Sequence, residues 1–294
     1  MIKKVAITGG THGNELTGVY LVKKWQKEPD LVRRSSFETL TELMNLQAIQ
    51  EVRRYIDQDL NRSFDLRDLE NENLQNHEAK LAKVINHRLG KKGSSRPNVD
   101  FIVDLHSTTA NMGLSIVVSN EHPMTWRAIA YLSMKEPRLK VYRWAGDVEN
   151  AFVDSIAPSG FAIEVGAVPQ GVLRADLFLA TEGLVYHLLD FIEQENRGSV
   201  LSLPESIEVY EHEALVDYPR DENGEIIAMV HPTRQDRDFA VIEQGDPLFL
   251  GLDGEVIYYQ GDEVRYTLFV NEAAYYEKGF AMTLTHKVTQ KIPH

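Results

Sequence analysis

Short apolar runs alternate with helical patterns along the first 200 residues, and this alternation constrains the fold more than any other feature. The apolar runs predict strands at residues 4–8, 99–105, 114–118 and 161–165. The helical patterns predict helices at residues 16–21, 74–90, 125–134 and 174–196. Strands that alternate with helices favour a mostly parallel or mixed sheet that is covered on both faces. The predicted fold class is therefore α/β.

The pattern changes after about residue 200, where helical spacing gives way to closely spaced strands. Short strand-like runs lie at residues 206–211, 226–230, 247–250, 256–259 and 265–270. Asn223-Gly224 and Asp253-Gly254 are dipeptides typical of hairpin turns. We therefore expect two domains, one at residues 1–202 and a β-rich C-terminal domain at residues 203–294.

The chain has no cysteine, which excludes disulfides, cysteine nucleophiles and thiolate metal sites. Any zinc would be held by His, Asp or Glu, the ligand types common in catalytic sites that keep an open coordination position. The apolar run at the N-terminus is too short for a signal peptide. No stretch approaches the roughly 20 apolar residues of a membrane span. We therefore expect a cytoplasmic protein with no membrane partner.

The net charge of −13 is unevenly distributed. Residues 201–294 hold 7 Lys and Arg against 18 Asp and Glu, a net charge of −11. An acidic surface argues against nucleic acid or an anionic membrane as a partner. An anionic substrate would need arginines inside its site, because the overall field of the protein does not attract it.

Three side chains suited to binding a metal follow two of the predicted strands. His12 and Glu15 stand three residues apart after the first strand, and one helical turn would bring them to the same side. His106 directly follows the strand at 99–105, and sites in open α/β sheets lie beyond the carboxyl ends of the strands. Two imidazoles and a carboxylate would suit a catalytic zinc ion. The residues alone leave two interpretations open, a metal site and a group of polar loop residues without metal.

Other motifs do not indicate a different site. Gly9-Gly10 and Gly13 fit a tight turn that closely approaches another part of the chain. They do not form a Walker loop, because no Gly-Lys-Ser/Thr follows, and they do not match the dinucleotide-binding pattern. His77-Glu78 lacks the second histidine of a zincin helix, and His212-Glu213 is expected to be solvated.

Six blocks of sequence closely resemble the family of aspartoacylase and aminoacylase III, in the same order from end to end. They are VAITGGTHGNELTG from Val5, RYIDQDLNR from Arg54, DLHSTTANMG from Asp104, IEVG from Ile163, VDYPRDENGE from Val216 and FVNEAAYYEK from Phe269. This resemblance implies a zinc carboxypeptidase-like hydrolase domain. It also implies that the β-rich C-terminal domain narrows the active-site entrance.

The resemblance implies metal-binding and catalytic roles for five matched positions. His12, Glu15 and His106 are the expected ligands of one zinc ion per subunit. Glu164 is the expected general base and acid, and Arg54 is expected to polarise the scissile carbonyl. Without the resemblance, Glu164 could be a structural carboxylate of the sheet, and Arg53, Arg54 and Arg62 would be interpreted as solvated surface arginines.

The resemblance also implies three substrate-binding residues. Asn61 and Arg62 are expected to bind a carboxylate of the substrate, and arginine suits bidentate capture in a way that lysine does not. Tyr275 is expected to line the pocket from the C-terminal domain. The substrate would be a small anionic N-acyl amino acid, with N-acetyl-L-aspartate the first to be tested.

One stretch departs from the family pattern. Aspartoacylases carry an additional arginine before the catalytic glutamate, and it helps to hold the acidic side chain of the substrate. Asp154 stands at that position here, and Asn150 stands at the position of a nearby pocket tyrosine. An aspartate there would repel a dianionic substrate, and Arg143 is a candidate replacement. Deacylation of other N-acyl amino acids is therefore the alternative function.

Two further functions compete with amidohydrolysis. A zinc peptidase that trims peptide C-termini would use similar ligands, but a pocket narrowed by the C-terminal domain argues against it. A non-catalytic binding module would not need the complete ligand set together with Glu164. The family resemblance also suggests a homo-oligomer, a dimer or larger.

Overall fold

The computed structural model describes residues 1–144, 150–200 and 202–293. The α-helices within these residues are Leu16–Lys27 (α1), Leu46–Glu51 (α2), Leu66–Glu70 (α3), His77–Leu89 (α4), Pro123–Lys135 (α5) and Ala175–Asn196 (α6). Short 3₁₀ helices lie at Pro29–Val32, Leu60–Arg62, Val153–Ile156 and Ala273–Lys278.

Most strands of the described residues belong to one large sheet. The strands of the first 200 residues are Lys4–Gly9 (β1), Glu38–Leu43 (β2), Phe101–Ser107 (β3), Gly113–Val118 (β4), Lys140–Arg143 (β5) and Ser159–Gly166 (β6). The later strands are Ser206–Val216 (β7), Ala228–Val230 (β8), Ala240–Ile242 (β9), Pro247–Gly251 (β10), Val256–Tyr258 (β11), Arg265–Leu268 (β12) and Met282–Lys291 (β13). Ten of them form a sheet in the order β2-β1-β3-β6-β4-β5-β7-β13-β12-β9, and β11-β10-β8 form a second sheet.

The large sheet is mixed. Strands β2, β1, β3 and β6 are parallel, β4 runs antiparallel to β6, and the C-terminal strands pair antiparallel with one another. This arrangement confirms the predicted α/β class with a β-rich C-terminal region.

Helices cover both faces of the parallel part of the sheet. In β1, Val5 and Ile7 belong to one core cluster, which also contains the fully buried Trp25 of α1. Ala6, which points to the opposite face, packs in a second cluster with Ile85 of α4. Alternating residues of a strand point to opposite faces, so a continuous apolar strand requires cover on both sides.

Every strand and helix expected in the first 200 residues is present, but several strands were not predicted. The unpredicted strands are β2, β5, β9 and β13. β2 has the sequence ETLTEL and carries no fully buried residue, and β13 ends in the polar sequence KVTQK. These strands lack the apolar runs on which the predictions depended, and pairing with neighbouring strands places them in the sheet.

The predicted boundary between residues 202 and 203 lies in the connection from α6 to β7, and residue 201 in that connection is outside the described residues. β7 pairs with β5 and thereby joins the C-terminal strands to the same sheet. Asp253-Gly254 connects β10 to β11 as a hairpin. No helix among the described residues is both long enough and apolar enough to cross a membrane.

Candidate metal centre and active site

The loop after β1 carries His12 and Glu15 and is held by close backbone contact. Gly10 has φ +72°, a conformation that favours glycine. A Cβ on Gly13 would lie 2.1 Å from the carbonyl carbon of Ala48 in α2. Only glycine at position 13 allows the loop to lie against α2, in agreement with the predicted tight turn.

His106 and Glu164 are neighbours in the sheet. They are directly paired across the parallel strands β3 and β6, so their side chains emerge on the same face. β1 pairs with β3 on the other side and brings the loop that follows Gly9 to the same edge. The sheet register therefore gathers residues that are far apart in the sequence.

The three predicted metal ligands converge. One ligand atom from each of His12, Glu15 and His106 lies within 4.8 Å of the others, and all three residues are buried. The Nδ1 atom of His12 lies 2.6 Å from one carboxylate oxygen of Glu15, and Nδ1 of His106 lies 2.9 Å from the other. The backbone N–H of Ser107 also donates to Glu15, at 3.0 Å.

The second nitrogen of each imidazole faces another carboxylate. Nε2 of His12 lies 2.8 Å from Asp59, and Nε2 of His106 lies 2.7 Å from Asp104. Asp104 is itself held by the hydroxyl groups of Thr8 and Thr11. Imidazoles that donate one N–H to a carboxylate present the lone pair of the other nitrogen to a metal.

These residues fit a divalent cation. If His12 donates its Nε2–H to Asp59 and His106 donates its Nε2–H to Asp104, the Nδ1 lone pairs of both rings face the carboxylate of Glu15. A cation bound between the two Nδ1 atoms and this carboxylate would remove the repulsion between the lone pairs and the carboxylate. Burial alone would lower the pKa of His106, but Asp104 and Glu15 raise it well above its usual value. Two imidazoles and one carboxylate form a ligand set typical of catalytic zinc.

Arg54 lies against the same group of residues. Its guanidinium donates to Glu15 at 3.0 Å and to Asp59 at 3.4 Å, while its buried Nε has no partner within the described part of the chain. Burial would lower the pKa of Arg54, but these two carboxylates raise it, so the side chain remains cationic. The structure thus places a fixed positive charge beside the candidate metal ligands.

Glu164 faces away from the core. Ile163 and Val165, on either side of it in β6, are fully buried in the core beneath the sheet, whereas Glu164 lines the cavity. Burial and the charge of Glu15 raise the pKa of Glu164 well above its usual value. One of its carboxyl oxygens is buried and has no partner among residues 1–144, 150–200 and 202–293. A carboxyl group in these surroundings readily holds a proton.

Asn61 and Arg62 lie in the 3₁₀ helix Leu60–Arg62. The Nδ2 atom of Asn61 lies 3.4 Å from Nε2 of His106, and its Oδ1 accepts the backbone N–H of Val153 at 3.0 Å. The guanidinium of Arg62 lies 4.6 Å from the ring centre of Phe152. Both residues were predicted to bind a substrate carboxylate, and both line the cavity.

All eight predicted site residues line one cavity of about 370 Å³. The C-terminal region also contributes to its wall, through Leu215, Glu272, Tyr275, Lys278 and other residues. Six aromatic side chains line the cavity: Tyr142, Trp144, Phe152, Phe269, Tyr275 and Phe280. Only Tyr275 among these six was expected, because neither spacing nor local pattern brings the others together.

Glu272 was also not predicted. It is buried and accepts hydrogen bonds from the hydroxyl groups of Thr108 and Thr109 and, at 3.0 Å, from the backbone N–H of Ala110. Its other oxygen accepts the N–H of Ala274 and so caps the helix Ala273–Lys278. Glu272 therefore joins the C-terminal part of the wall to the loop that follows His106.

The residues at which the chain departs from the family pattern, and the candidate replacement Arg143, lie in different surroundings. Asp154 lines the cavity and is only 2% exposed. Arg143 is not among the residues that line the cavity, and its guanidinium binds Glu211 and Gln290. The side-chain amide of Asn150 donates to Ser119. Arg143 therefore does not replace the arginine expected at position 154.

The fold is a mixed sheet flanked by helices, and His12, Glu15 and His106 at the ends of its strands form a candidate site for one metal ion. Two family models match the chain. Residues 1–192 match the succinylglutamate desuccinylase/aspartoacylase catalytic domain, and residues 205–287 match the AstE/AspA barrel-sandwich hybrid domain. The chain belongs to the succinylglutamate desuccinylase/aspartoacylase family.

Individual relatives are similar in sequence to this chain along nearly its whole length. A probable aspartoacylase of Trichodesmium erythraeum is 51% identical over 292 residues, which cover 99% of both chains. The human N-acyl-aromatic-L-amino acid amidohydrolase (carboxylate-forming) is 40% identical and matches 99% of this chain and 93% of its own.

The fold is also shared with a solved structure. Murine aminoacylase 3 superposes with a TM-score of 0.94 at 38% identity, over 99% of this chain and 97% of the murine chain. Structures of bacterial succinylglutamate desuccinylases are more distant and show the fold alone, as for the enzyme from Vibrio cholerae at a TM-score of 0.65 and 18% identity.

Proposed function

We propose that this protein is a zinc-dependent amidohydrolase that removes the acyl group from N-acyl amino acids. The observation that carries this proposal is the convergence of His12, Glu15 and His106 in a cavity that Glu164 and Arg54 also line. The names of the relatives support the reaction class, because they include aspartoacylase and N-acyl-aromatic-L-amino acid amidohydrolase.

Zinc would be held by His12, Glu15 and His106, with Asp59 and Asp104 fixing the orientation of the two imidazoles. When bound, zinc supplies a Lewis acid that lowers the pKa of water to roughly 7 and polarises a carbonyl group. The residues of the chain then hold the substrate and move the protons.

Glu164 is the proposed general base and acid. Its raised pKa and its buried, unpartnered oxygen suit a carboxyl group that takes a proton from the attacking water and delivers it to the amide nitrogen. Transfer to the nitrogen allows the amine to leave as a neutral group.

Arg54 is proposed to stabilise the negative charge that develops on the scissile carbonyl oxygen. Its orientation is fixed by hydrogen bonds to Glu15 and Asp59, and none of the residues that the structure describes accepts a hydrogen bond from its Nε. A fixed donor of this kind typically lowers the barrier by about 3 kcal/mol, because it needs no reorientation during the reaction.

Asn61 and Arg62 are proposed to bind the α-carboxylate of the substrate, and Tyr275 to close the wall beside it. Arginine can capture a carboxylate with two parallel hydrogen bonds. Packing against Phe152 orients the guanidinium of Arg62. A free carboxylate next to the amide distinguishes an N-acyl amino acid from an internal peptide bond.

The wall of the cavity favours an aromatic or apolar side chain on the substrate over N-acetyl-L-aspartate, the substrate that the family resemblance puts first. Aspartate would bring a second carboxylate close to Asp154, where two like charges in buried surroundings repel each other. Arg143 is occupied by Glu211 and Gln290 and does not offset this repulsion. The six aromatic residues instead offer contact to a ring.

A panel of N-acetyl-L-amino acids, assayed with zinc-loaded protein, tests the proposal. We expect hydrolysis of N-acetyl amino acids with aromatic side chains at a higher kcat/KM than N-acetyl-L-aspartate. Hydrolysis of N-acetyl-L-aspartate alone would retain the reaction but reverse the substrate preference. Turnover of C-terminal peptides in preference to every N-acyl amino acid would replace the proposal with a carboxypeptidase function.

The proposal includes one zinc ion per subunit and a homo-oligomer, a dimer or larger. Light scattering coupled to size exclusion gives the subunit number, and metal analysis of the same fraction gives the zinc content per chain. If the protein is a monomer in solution, the proposed homo-oligomer is wrong, but the proposed reaction is unaffected.

A further inference from the structure

Among the residues that line the cavity, three have a buried polar atom with no hydrogen-bond partner among the described residues. These atoms are Nε of Arg54, one carboxyl oxygen of Glu164 and Oδ2 of Asp154. Buried polar atoms in folded proteins are nearly always satisfied, so each exception calls for a physical reason. The proposed reaction explains the unpartnered atoms of Arg54 and Glu164, because both side chains are proposed to contact the substrate. It gives the Oδ2 atom of Asp154 no partner, because the only effect proposed for Asp154 so far is repulsion of a second carboxylate.

The position of Asp154 is built into the fold. It lies in the 3₁₀ helix Val153–Ile156, which is fastened to the site because the N–H of Val153 donates to Oδ1 of Asn61. Asn61 is one of the residues proposed to bind the α-carboxylate of the substrate. In an amino acid the carboxylate and the side chain are attached to the same carbon, so a group next to the carboxylate site is within reach of the side chain.

The surroundings of Asp154 favour a hydrogen-bond donor as its partner. The residue is 2% exposed, and burial raises its pKa to about 7, with the charge of Asp104 adding to the effect. A carboxyl group with an unused oxygen in such a place loses the free energy of its hydration, and a donor on a bound ligand would restore part of it.

The rest of the wall indicates what carries the donor. Phe152, two residues before Asp154, lies in the wall together with Tyr142 and Trp144. A cavity that combines aromatic side chains with one buried acceptor is complementary to a ring that bears an O–H or N–H group.

We propose that Asp154 determines the specificity of the enzyme by accepting a hydrogen bond from a donor on the aromatic side chain of the substrate, the phenol of an N-acyl-tyrosine or the indole N–H of an N-acyl-tryptophan. This inference rests on the proposed function and narrows its substrate class. The residue does not enter the bond-breaking step, and its effect is confined to the choice between side chains.

The test compares substrates that differ only in the donor. N-acetyl-L-tyrosine, N-acetyl-L-phenylalanine and N-acetyl-O-methyl-L-tyrosine are assayed with the wild type and with Asp154→Leu, which is similar in size but has no acceptor. We expect the wild type to prefer tyrosine to the other two by about tenfold or more in kcat/KM, because a site built for a hydroxyl group rejects a substrate that lacks it. In Asp154→Leu the ratio falls to about 1.

Asp154→Asn provides a second variant that closely preserves shape. It keeps an acceptor oxygen but loses the charge, and charge-assisted hydrogen bonds are roughly twice as strong as neutral ones, so its ratio should lie between those of the wild type and Asp154→Leu. Binding can be measured without turnover when each of the three proteins also carries Glu164→Gln. Calorimetry on these proteins gives the dissociation constants of N-acetyl-L-tyrosine and N-acetyl-L-phenylalanine, and the preference for tyrosine should decrease in the same order, from Asp154 to Asp154→Asn to Asp154→Leu.

Asp238→Asn is the matched control. Asp238 also has a buried, unpartnered carboxyl oxygen, and burial likewise raises its pKa to about 7, but it does not line the cavity. Its substitution should leave the tyrosine-to-phenylalanine ratio unchanged.

Two results would overturn the inference. One is a wild-type ratio near 1, and the other is a ratio in either Asp154 variant that equals the wild-type value. Hydrolysis of N-acetyl-L-phenylalanine together with either result rejects the role of Asp154 and leaves the proposed function intact. Absence of hydrolysis of every N-acyl amino acid by the zinc-loaded wild type rejects both.

Discussion

At the scale of single residues, the most informative feature is that each candidate imidazole ligand lies between two carboxylates. His12 lies between Glu15 and Asp59, and His106 lies between Glu15 and Asp104. Glu15 is shared, so the two Nδ1 atoms converge on its two oxygens. Arg54 balances part of this buried negative charge, and a metal ion would balance more of it. The group is therefore better suited to binding a metal than to stabilising the fold.

Substitution of Glu164 by glutamine separates metal binding from proton transfer. Glu164→Gln removes the proposed base but none of the proposed zinc ligands, so the variant should keep its zinc and lose nearly all turnover, by about 10²–10⁴-fold. Metal analysis and kcat measured on the same preparation check both statements. Activity equal to that of the wild type would remove Glu164 from the mechanism.

Asp238 gives a prediction for stability against pH. Burial raises the pKa of Asp238 from 3.8 to about 7, so between these values the folded protein holds a proton that the unfolded chain has released. Stability therefore falls as the pH rises through this window, and the full cost is present above about pH 7. Asp238→Asn removes this cost and should raise the melting temperature clearly more at pH 8 than at pH 5, where only the lower part of the window has been crossed.

Thermal unfolding of the wild type and Asp238→Asn at both pH values measures this difference. The asparagine can still accept the N–H of Val270, so the hydrogen bond of the carboxylate is conserved as a control. An equal change in melting temperature at pH 5 and pH 8 would mean that ionisation of Asp238 is not the cause.

At the scale of elements, the 3₁₀ helix Ala273–Lys278 carries Tyr275 into the cavity and is fixed by Glu272. Two hydroxyl groups and one backbone N–H from residues 108–110 donate to a single oxygen of that carboxylate. This contact joins the C-terminal part of the wall to the loop after β3, next to the candidate metal ligand His106. The element that closes the cavity thus depends on one buried side chain.

Glu272→Ala should loosen this element. It leaves buried donors without an acceptor, which costs about 3 kcal/mol of unfolding free energy. Displacement of Tyr275 should raise KM more than it lowers kcat, because the residue lines the wall. Chemical denaturation and steady-state kinetics measure the two effects, and Glu272→Gln, which keeps an acceptor oxygen, is the control. An unchanged KM in Glu272→Ala would show that the contact does not position the helix.

The sequence predicted the elements whose apolar pattern is local. β3 and β6 are mostly apolar, and α6 has a clear helical spacing, so each was expected close to its observed bounds. β2 and β13 were not expected, because a strand with half of its residues polar is stabilised mainly by its neighbours in the sheet. Their positions depend on pairing partners that a local pattern does not reveal.

The same distinction applies to the site. Strand ends and the spacing of His12 and Glu15 pointed to a metal site, and the family resemblance supplied the remaining residues. Asp59 lay within a recognised block, but nothing local showed that it would face His12 from 47 residues away. Glu272 contacts residues more than 160 positions earlier in the chain. Contacts of this kind arise from the topology of the sheet and only become visible in the structure.

At the scale of the whole molecule, the cavity belongs to both regions of the chain. The candidate metal ligands lie at the ends of the parallel strands, and the C-terminal region supplies Tyr275, Phe280 and Thr283 to the wall. The large sheet connects the regions through the pairing of β5 with β7. The C-terminal region is therefore part of the site as well as part of the fold.

The central claim is that His12, Glu15 and His106 bind one zinc ion. Anomalous X-ray diffraction from crystals of zinc-loaded protein, recorded on both sides of the zinc absorption edge, tests it most directly. We predict one anomalous peak per chain, about 2.0–2.3 Å from Nδ1 of His12, a carboxylate oxygen of Glu15 and Nδ1 of His106. A zinc-loaded crystal with no peak there, or with its zinc held by other residues, would contradict the claim.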